Sequence, residues 1–140
     1  RVRIFMSKAG YTIAVMLLML SNGVFAASPR INYLLYCSGC HRPTGEGSPP
    51  NVPTLHNELG EMMSVQEMRG YLARVPGSNN APISDAELTE VINWLLEEFN
   101  AETLPKNFKK LSLKEVRDAR SNLLADPVKY RETYWKAYEF

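Results

Sequence analysis

The sequence predicts an all-α protein. Apolar residues recur at intervals of three and four from Leu88 to Phe99, one continuous stripe of a helix. Two Ser-x-x-Glu capping boxes stand at Ser84 and Ser112. No stretch alternates polar and apolar residues for the length a strand requires, and there is no internal repeat. With 140 residues, the chain is one domain with room for an appendage.

The first element precedes the fold. R-V-R-I-F-M-S-K-A-G is basic, T-I-A-V-M-L-L-M-L is apolar, and S-N-G-V-F-A-A-S ends in small residues. That order defines a secretory signal peptide over residues 1–26, with Val24 and Ala26 in the small-residue positions before the cut. Met6 is the expected start of translation. The apolar run from Thr12 to Leu20 falls well short of the roughly 20 residues needed to cross a bilayer. No membrane span is therefore expected in the mature chain, and an uncleaved N-terminal anchor is the alternative.

Residues 27–100 should form the body. Ile31, Leu34 and Leu35 have helical spacing and lead into C-S-G-C-H at Cys37 to His41. Five glycines and prolines between Pro43 and Pro50 make the following stretch a loop. A second helix is expected from Ser64, with Val65, Met68, Leu72 and Val75 on one face, ended by V-P-G-S-N-N-A-P. The helix after Ser84 carries Leu88, Val91, Ile92, Leu95, Leu96 and Phe99.

Residues 101–140 read as a helical extension. A-E-T-L-P-K-N-F-K-K is a linker, Ser112 opens a helix bearing Val116 and Leu123, and Asp126-Pro127 opens a last one. That helix carries Tyr130, Tyr134 and Trp135, for which packing on the body is favoured over presentation to a partner.

Charge divides the same way. Residues 27–100 hold four basic and nine acidic residues, net −5, whereas residues 101–140 hold nine basic and six acidic, net +3. The tail's charges are mixed rather than a basic block, which gives nucleic-acid binding little support. Docking on the acidic body or on an acidic partner face is the expectation.

The two cysteines both fall in C-S-G-C-H. Thiols three positions apart on a helix sit about one turn apart on the same side. That separation suits two thioether bonds to one haem, and the pattern is that of c-type haem attachment, with the histidine as proximal iron ligand. A structural disulfide or redox dithiol would use Cys37 and Cys40 but has no need of His41, and the redox form expects a βαβ context. Structural zinc needs about four ligands, and Cys37, Cys40, His41 and His56 follow no common zinc spacing.

At this point residues 30–99 resemble the class I c-type cytochromes, small monohaem electron carriers. C-S-G-C-H matches the family's attachment motif, T-G-E-G the loop after it, and P-T-L at Pro53 to Leu55 the Pro-x-Leu segment. I-S-D-A-E-L-T-E-V-I-N-W-L-L is similar to the C-terminal helix, with Trp94 where an aromatic packs on the first helix. The resemblance implies a small helical domain around one covalent haem c. Cys37 and Cys40 would carry the haem, His41 would bind iron, and the Pro53 carbonyl would orient His41.

The chain departs from the family at the sixth ligand. The family's methionine belongs in the loop before the last helix, and that loop here, V-P-G-S-N-N-A-P-I, has none. Met63 and Met68 are the candidates left. Met63, beside Met62, lies in the approach to the second helix, and Met68 lies on its apolar stripe, where core packing is the competing reading. His56 reads as a loop histidine on the proximal side.

The expected function is that of a periplasmic electron carrier, not an enzyme. Its partners would be a periplasmic dehydrogenase and another cytochrome or oxidase, or it would serve as the cytochrome subunit of a dehydrogenase. The missing loop methionine supports an alternative, a haem enzyme or small-ligand sensor with an open distal site. Arg69 and Arg74 then read as solvated helix charges, since no distal His–Arg pair is visible.

Overall fold

A computed structural model describes residues 27–138, so the signal peptide expected over residues 1–26 lies outside the described residues. Among the described residues the fold is all-α, with one isolated antiparallel bridge between Ser48 and Val52. In chain order come α1 (Pro29–Tyr36), α2 (Ser38–His41), α3 (Glu58–Met62), a 3-10 turn (Gln66–Met68), α4 (Tyr71–Arg74), α5 (Pro76–Asn79), α6 (Asp85–Asn100), α7 (Leu113–Arg120) and α8 (Pro127–Tyr134).

The helix starts follow from local chemistry. Ser28 Oγ accepts from Ile31 N, and Pro29 sits in the first turn, where its missing N–H costs nothing. At Ser84 and Ser112 both halves of the capping box form, the serine accepting from the Glu87 or Glu115 backbone while that glutamate accepts from the serine N–H. Asp126 caps α8 through Lys129 N at 2.9 Å.

The core lies between α1 and α6. Leu88, Val91, Ile92, Leu95 and Leu96 are all buried, and Tyr33 of α1 is fully enclosed. Tyr33 meets Trp94 at 5.3 Å and Phe99 at 5.6 Å between ring centroids, in tilted and edge-on geometries that aromatic rings favour. At the end of α6, Asn100 is buried with its amide fully used. Its Oδ1 accepts from Gly60 N, and its Nδ2 donates to Leu55 O and Leu95 O.

The second helix expected from Ser64 is instead broken into pieces. Val65 is extended (φ −99°, ψ 119°), and the run divides again at Gly70, where a Cβ would stand 2.9 Å from Ala119 Cβ of α7. The glycine therefore serves the close approach of a helix some fifty positions later. Val75 is extended ahead of Pro76, as a residue before proline prefers, and Pro76 opens the short α5 within a stretch expected to be turn. Met68 and Leu72 still face inward and are buried, while Val65 and Val75 are half-buried against the same cluster. Helix α3 carries no periodic signal of its own and was not anticipated.

The extension packs on the body. Leu111, Val116 and Leu124 join the body's hydrophobic cluster. Buried Asn93 grips Leu111 by both backbone groups, accepting from its N–H at 2.8 Å and donating to its carbonyl at 2.9 Å. Arg131 is buried and pairs with Glu58 at 2.5 Å while stacking over Trp135 and Tyr138. The basic tail thus finds acidic partners on the body: Lys110 with Glu97, Arg117 and Arg120 with Asp85, and Lys136 with Glu58 and Glu61.

Arg120 does the most specific work. Its guanidinium donates to the carbonyls of Asn79 (3.1 Å), Ala81 (2.6 Å) and Ile83 (2.8 Å) and to Asp85 Oδ1 (3.1 Å). Asn79 Nδ2 returns a bond to the Arg120 carbonyl. One side chain of the extension therefore holds the whole loop that leads into α6.

Two outcomes are expected. Arg120→Ala takes the guanidinium donors from Asn79 O and Ile83 O, while Ala81 O keeps the Ile83 N–H, and should cost about 3 kcal/mol, given about 1.5–3 for bonds to a charged group. Arg120→Lys should recover little of it, because an ammonium lacks the planar fork. Urea denaturation checks both, and an Arg120→Ala loss near zero would show that the loop holds itself. The second outcome concerns Glu58. Burial raises its pKa, but hydrogen bonds from Arg131 and Lys136 outweigh this and hold the carboxyl below its usual range. A depressed folded pKa adds stability above the unfolded value of about 4.3 and loses it as pH falls through the folded value. Glu115 behaves alike through Ser112 and Arg69, so the test compares slopes. Between pH 5 and 3 (roughly the carboxylate range), Glu58→Gln should flatten the fall in unfolding free energy, and equal slopes would refute a stabilising role for the Glu58 pairs with Arg131 and Lys136.

Candidate cofactor site

The site begins where α1 ends. Cys37 N donates to Tyr33 O at 2.9 Å as the last bond of α1, and the Cys37 carbonyl accepts from Cys40 N and His41 N. Cys37 is thus both the cap of α1 and the start of the turn α2, which places Cys40 about one turn away. Both cysteines are free thiols, Cys37 half-buried and Cys40 exposed. A Cβ at Gly39 between them would meet nothing within 4 Å, so the surface there is open. Leu35 and Tyr36, just before the pair, are exposed to 65% and 44% despite their apolar character.

Burial, and then the neighbouring Cys40, push the Cys37 thiol above its ordinary range. A reactive redox dithiol needs the opposite shift. His41 is half-buried, and burial lowers its pKa against the contrary pull of its bond to Pro53. The imidazole is therefore neutral near pH 7, the form that can act as a ligand.

His41 Nδ1 lies 3.1 Å from the Pro53 carbonyl oxygen, a bond that fixes Nδ1 as the protonated nitrogen and leaves the Nε2 lone pair free. Two glycines make that approach possible. Gly45 has φ +86° and Gly47 φ +70°, both left-handed conformations that L side chains avoid. Gly47 N donates to His41 O, and its α-carbon passes so close to the next strand of chain that a Cβ would stand 2.5 Å from Pro53 O and Val52 O. Gly45 O accepts from Leu55 N at 2.8 Å and from Thr54 Oγ1. Asn100 holds Leu55 from the other side. The segment bearing the Pro53 carbonyl is pinned at both flanks.

The structure thus brings Cys37, Cys40, His41 and Pro53 into one site. Met68 is fully buried in the core, and Met63 is 5% exposed beside Phe108 and Lys110 of the extension, in a surface cleft. The Val75–Ile83 loop offers its carbonyls to Arg120. His56 Nε2 makes a 2.6 Å contact with Thr44 O and its ring rests on Phe99, so it supports the loop after the cysteines. Among the described residues, no three His, Cys, Asp or Glu side chains cluster as a metal site would require.

Two supports were missed in the sequence. Tyr33 Oη donates to Arg42 O at 2.6 Å, and Gly47 gives the Pro53 carbonyl its room. Tyr33 lies one turn before Cys37, a position visible in the sequence, but its hydroxyl partner is not.

Comparison with known proteins points the same way. The chain is 26% identical over 106 residues to cytochrome c-552 of Thermus thermophilus, a stretch covering 63% of this chain and 81% of that protein. A second cytochrome c-552 of the same species matches at 26% identity with 72% of its length covered. No family model and no solved structure matches the chain. The all-α fold is thus accompanied by a likeness, at low identity, to c-type cytochromes.

Gly47→Ala should cost about 1–2 kcal/mol for its left-handed backbone alone, with a further loss from the clash on Pro53 O. Gly39→Ala, with open space around it, should be neutral or gain up to about 1 kcal/mol, the helical penalty of glycine. Thermal denaturation of the two variants checks the contrast. Equal effects would show that the Gly47–Pro53 approach carries no strain.

Proposed function

We propose that the chain is a periplasmic monohaem c-type cytochrome that passes single electrons between redox proteins. The observation that carries this reading is the pairing of two free thiols one turn apart with a histidine whose Nδ1 is held by the Pro53 carbonyl. The donor set fits haem c: two free thiols for thioether bonds, one neutral imidazole with Nε2 free, and exposed Leu35 and Tyr36 beside them for an apolar macrocycle. The haem, when bound, supplies one-electron exchange between ferric and ferrous iron.

The chain's own residues would do the rest. Cys37 and Cys40 hold the group covalently. His41 presents Nε2 to the iron, and Pro53 O keeps the ring from rotating and raises its basicity. Tyr33, Trp94 and Phe99 close the interior behind the cysteines. Export by the basic-apolar leader would place the protein with a periplasmic dehydrogenase as donor and another cytochrome or an oxidase as acceptor. Residues 27–100 would form the haem domain and 101–140 a basic extension folded onto it.

One observation favours a second reading. The Val75–Ile83 loop lacks methionine, and an open sixth position would suit a small-ligand sensor or haem enzyme. Met63 and Met68 are the distal candidates for the carrier.

Protein exported in a haem-maturation host should show one covalent haem per chain by pyridine haemochrome. Cys37→Ser or Cys40→Ser should leave haem poorly attached, and wild type without covalent haem would refute both readings. Carbon monoxide added to the ferrous protein separates the two, because rapid binding excludes a closed six-coordinate carrier. The near-infrared ligand-to-iron band of the ferric form should vanish in either Met63→Ala or Met68→Ala, and its survival in both excludes them as ligands.

A further inference from the structure

Arg42 follows His41 directly and adopts φ +63° with ψ 160°, a conformation an L side chain rarely takes. Such backbone costs on its own and persists only where its surroundings fix it. Two donors fix it here. Gly45 N reaches the Arg42 carbonyl at 3.2 Å, and Tyr33 Oη reaches it at 2.6 Å. The second bond spans nine positions and ties the helix before the cysteines to the residue after the histidine.

The Tyr33 hydroxyl is surplus to packing. The ring packs on Trp94 and Phe99, and phenylalanine would pack alike. The side chain is fully enclosed, and a buried hydroxyl is costly unless it has a partner. Its partner is the Arg42 carbonyl. Burial, with smaller contributions from Cys37 and Glu46, pushes the phenol up to about 12, so it stays a donor across the working range.

His41 is restrained at three points. Its ring is held by Pro53 O and its carbonyl by Gly47 N, while Cys37 O holds its amide. Release of Arg42 from its left-handed conformation would turn the peptide that joins it to His41, and with it the line from Nδ1 to Pro53 O. We propose that Tyr33 is a positioning residue for His41, its hydroxyl locking Arg42 so that the imidazole stays aimed through the Pro53 carbonyl. This rests on His41 being the iron ligand. On that basis Tyr33 contributes to the donor strength of His41 and so to the reduction potential, because the outer hydrogen bond sets ligand basicity.

The test is Tyr33→Phe in the exported holoprotein, with Trp94→Phe as a control that disturbs the same aromatic cluster and leaves the hydroxyl. Haem content by pyridine haemochrome comes first. Wild type without covalent haem overturns the reading of the site itself, separately from Tyr33. With haem present, the readouts are exchange of the His41 Nδ1–H proton in the ferrous state by NMR and the midpoint potential. Tyr33→Phe should keep its haem, speed Nδ1–H exchange and weaken ferric stabilisation by up to about tenfold, an upward shift of about 59 mV for one electron. Trp94→Phe should lower the melting temperature without either change. Unchanged exchange and potential in Tyr33→Phe, or equal shifts in both variants, would overturn the proposal. Should Tyr33→Phe not fold, 3-fluorotyrosine at position 33 is a stronger donor of the same shape. It should slow the exchange and lower the potential, and no change would overturn the proposal equally.

Discussion

The hydrogen bond between His41 Nδ1 and the Pro53 carbonyl joins two segments twelve positions apart. One is the helical turn carrying both cysteines, and the other is an irregular loop with no ladder of its own. To bring them together the chain must reverse within twelve residues. That reversal uses two left-handed glycines, a left-handed Arg42 and a passage of Gly47 past Pro53 with no room for a methyl group. Strained backbone of this kind persists only where the surroundings over-determine it. Tyr33 from α1, Asn100 from the end of α6 and Leu55 N on Gly45 O supply that determination. The α1–α6 packing is therefore the frame that holds an otherwise unfavourable loop.

The extension completes the frame from outside. The body is acidic and the extension basic, and the ion pairs between them satisfy much of both charges within the chain. Exposed pairs of this sort contribute little singly. The weight falls on the few buried contacts: Arg131 against Glu58, Asn93 around Leu111, and the Leu111, Val116 and Leu124 side chains in the shared core. Of the two expected uses of the basic extension, docking on the acidic body is the one these ion pairs show.

Features carried by neighbouring residues were legible in the sequence. Ser84 with Glu87 and Ser112 with Glu115 each complete a capping box within four residues, so the starts of α6 and α7 could be read directly. The α6 stripe was equally plain, because its period matches one buried face. What failed was the helix expected from Ser64. Val65 is extended, and Gly70 divides the run again beside Ala119, a partner some fifty residues away, and no local pattern encodes that approach. Of the site, Cys37, Cys40 and His41 announce themselves by spacing. The Tyr33 hydroxyl and the room around Gly47 do not, since each is defined by a carbonyl that only the folded chain brings near.

The same logic bears on the loop from Val75 to Ile83. It has no methionine, a short α5 and two prolines, and little inside it to set its course. Arg120 sets it instead, taking alternate carbonyls at Asn79, Ala81 and Ile83 and anchoring on Asp85 in the first turn of α6. A guanidinium suits this because its fork presents several donors in one plane. Arg74, at the other side of the loop, donates to Asn122 O and accepts from Leu124 N. The loop is thus suspended between two arginine contacts, both involving the extension, and its position cannot be separated from how residues 101–138 pack.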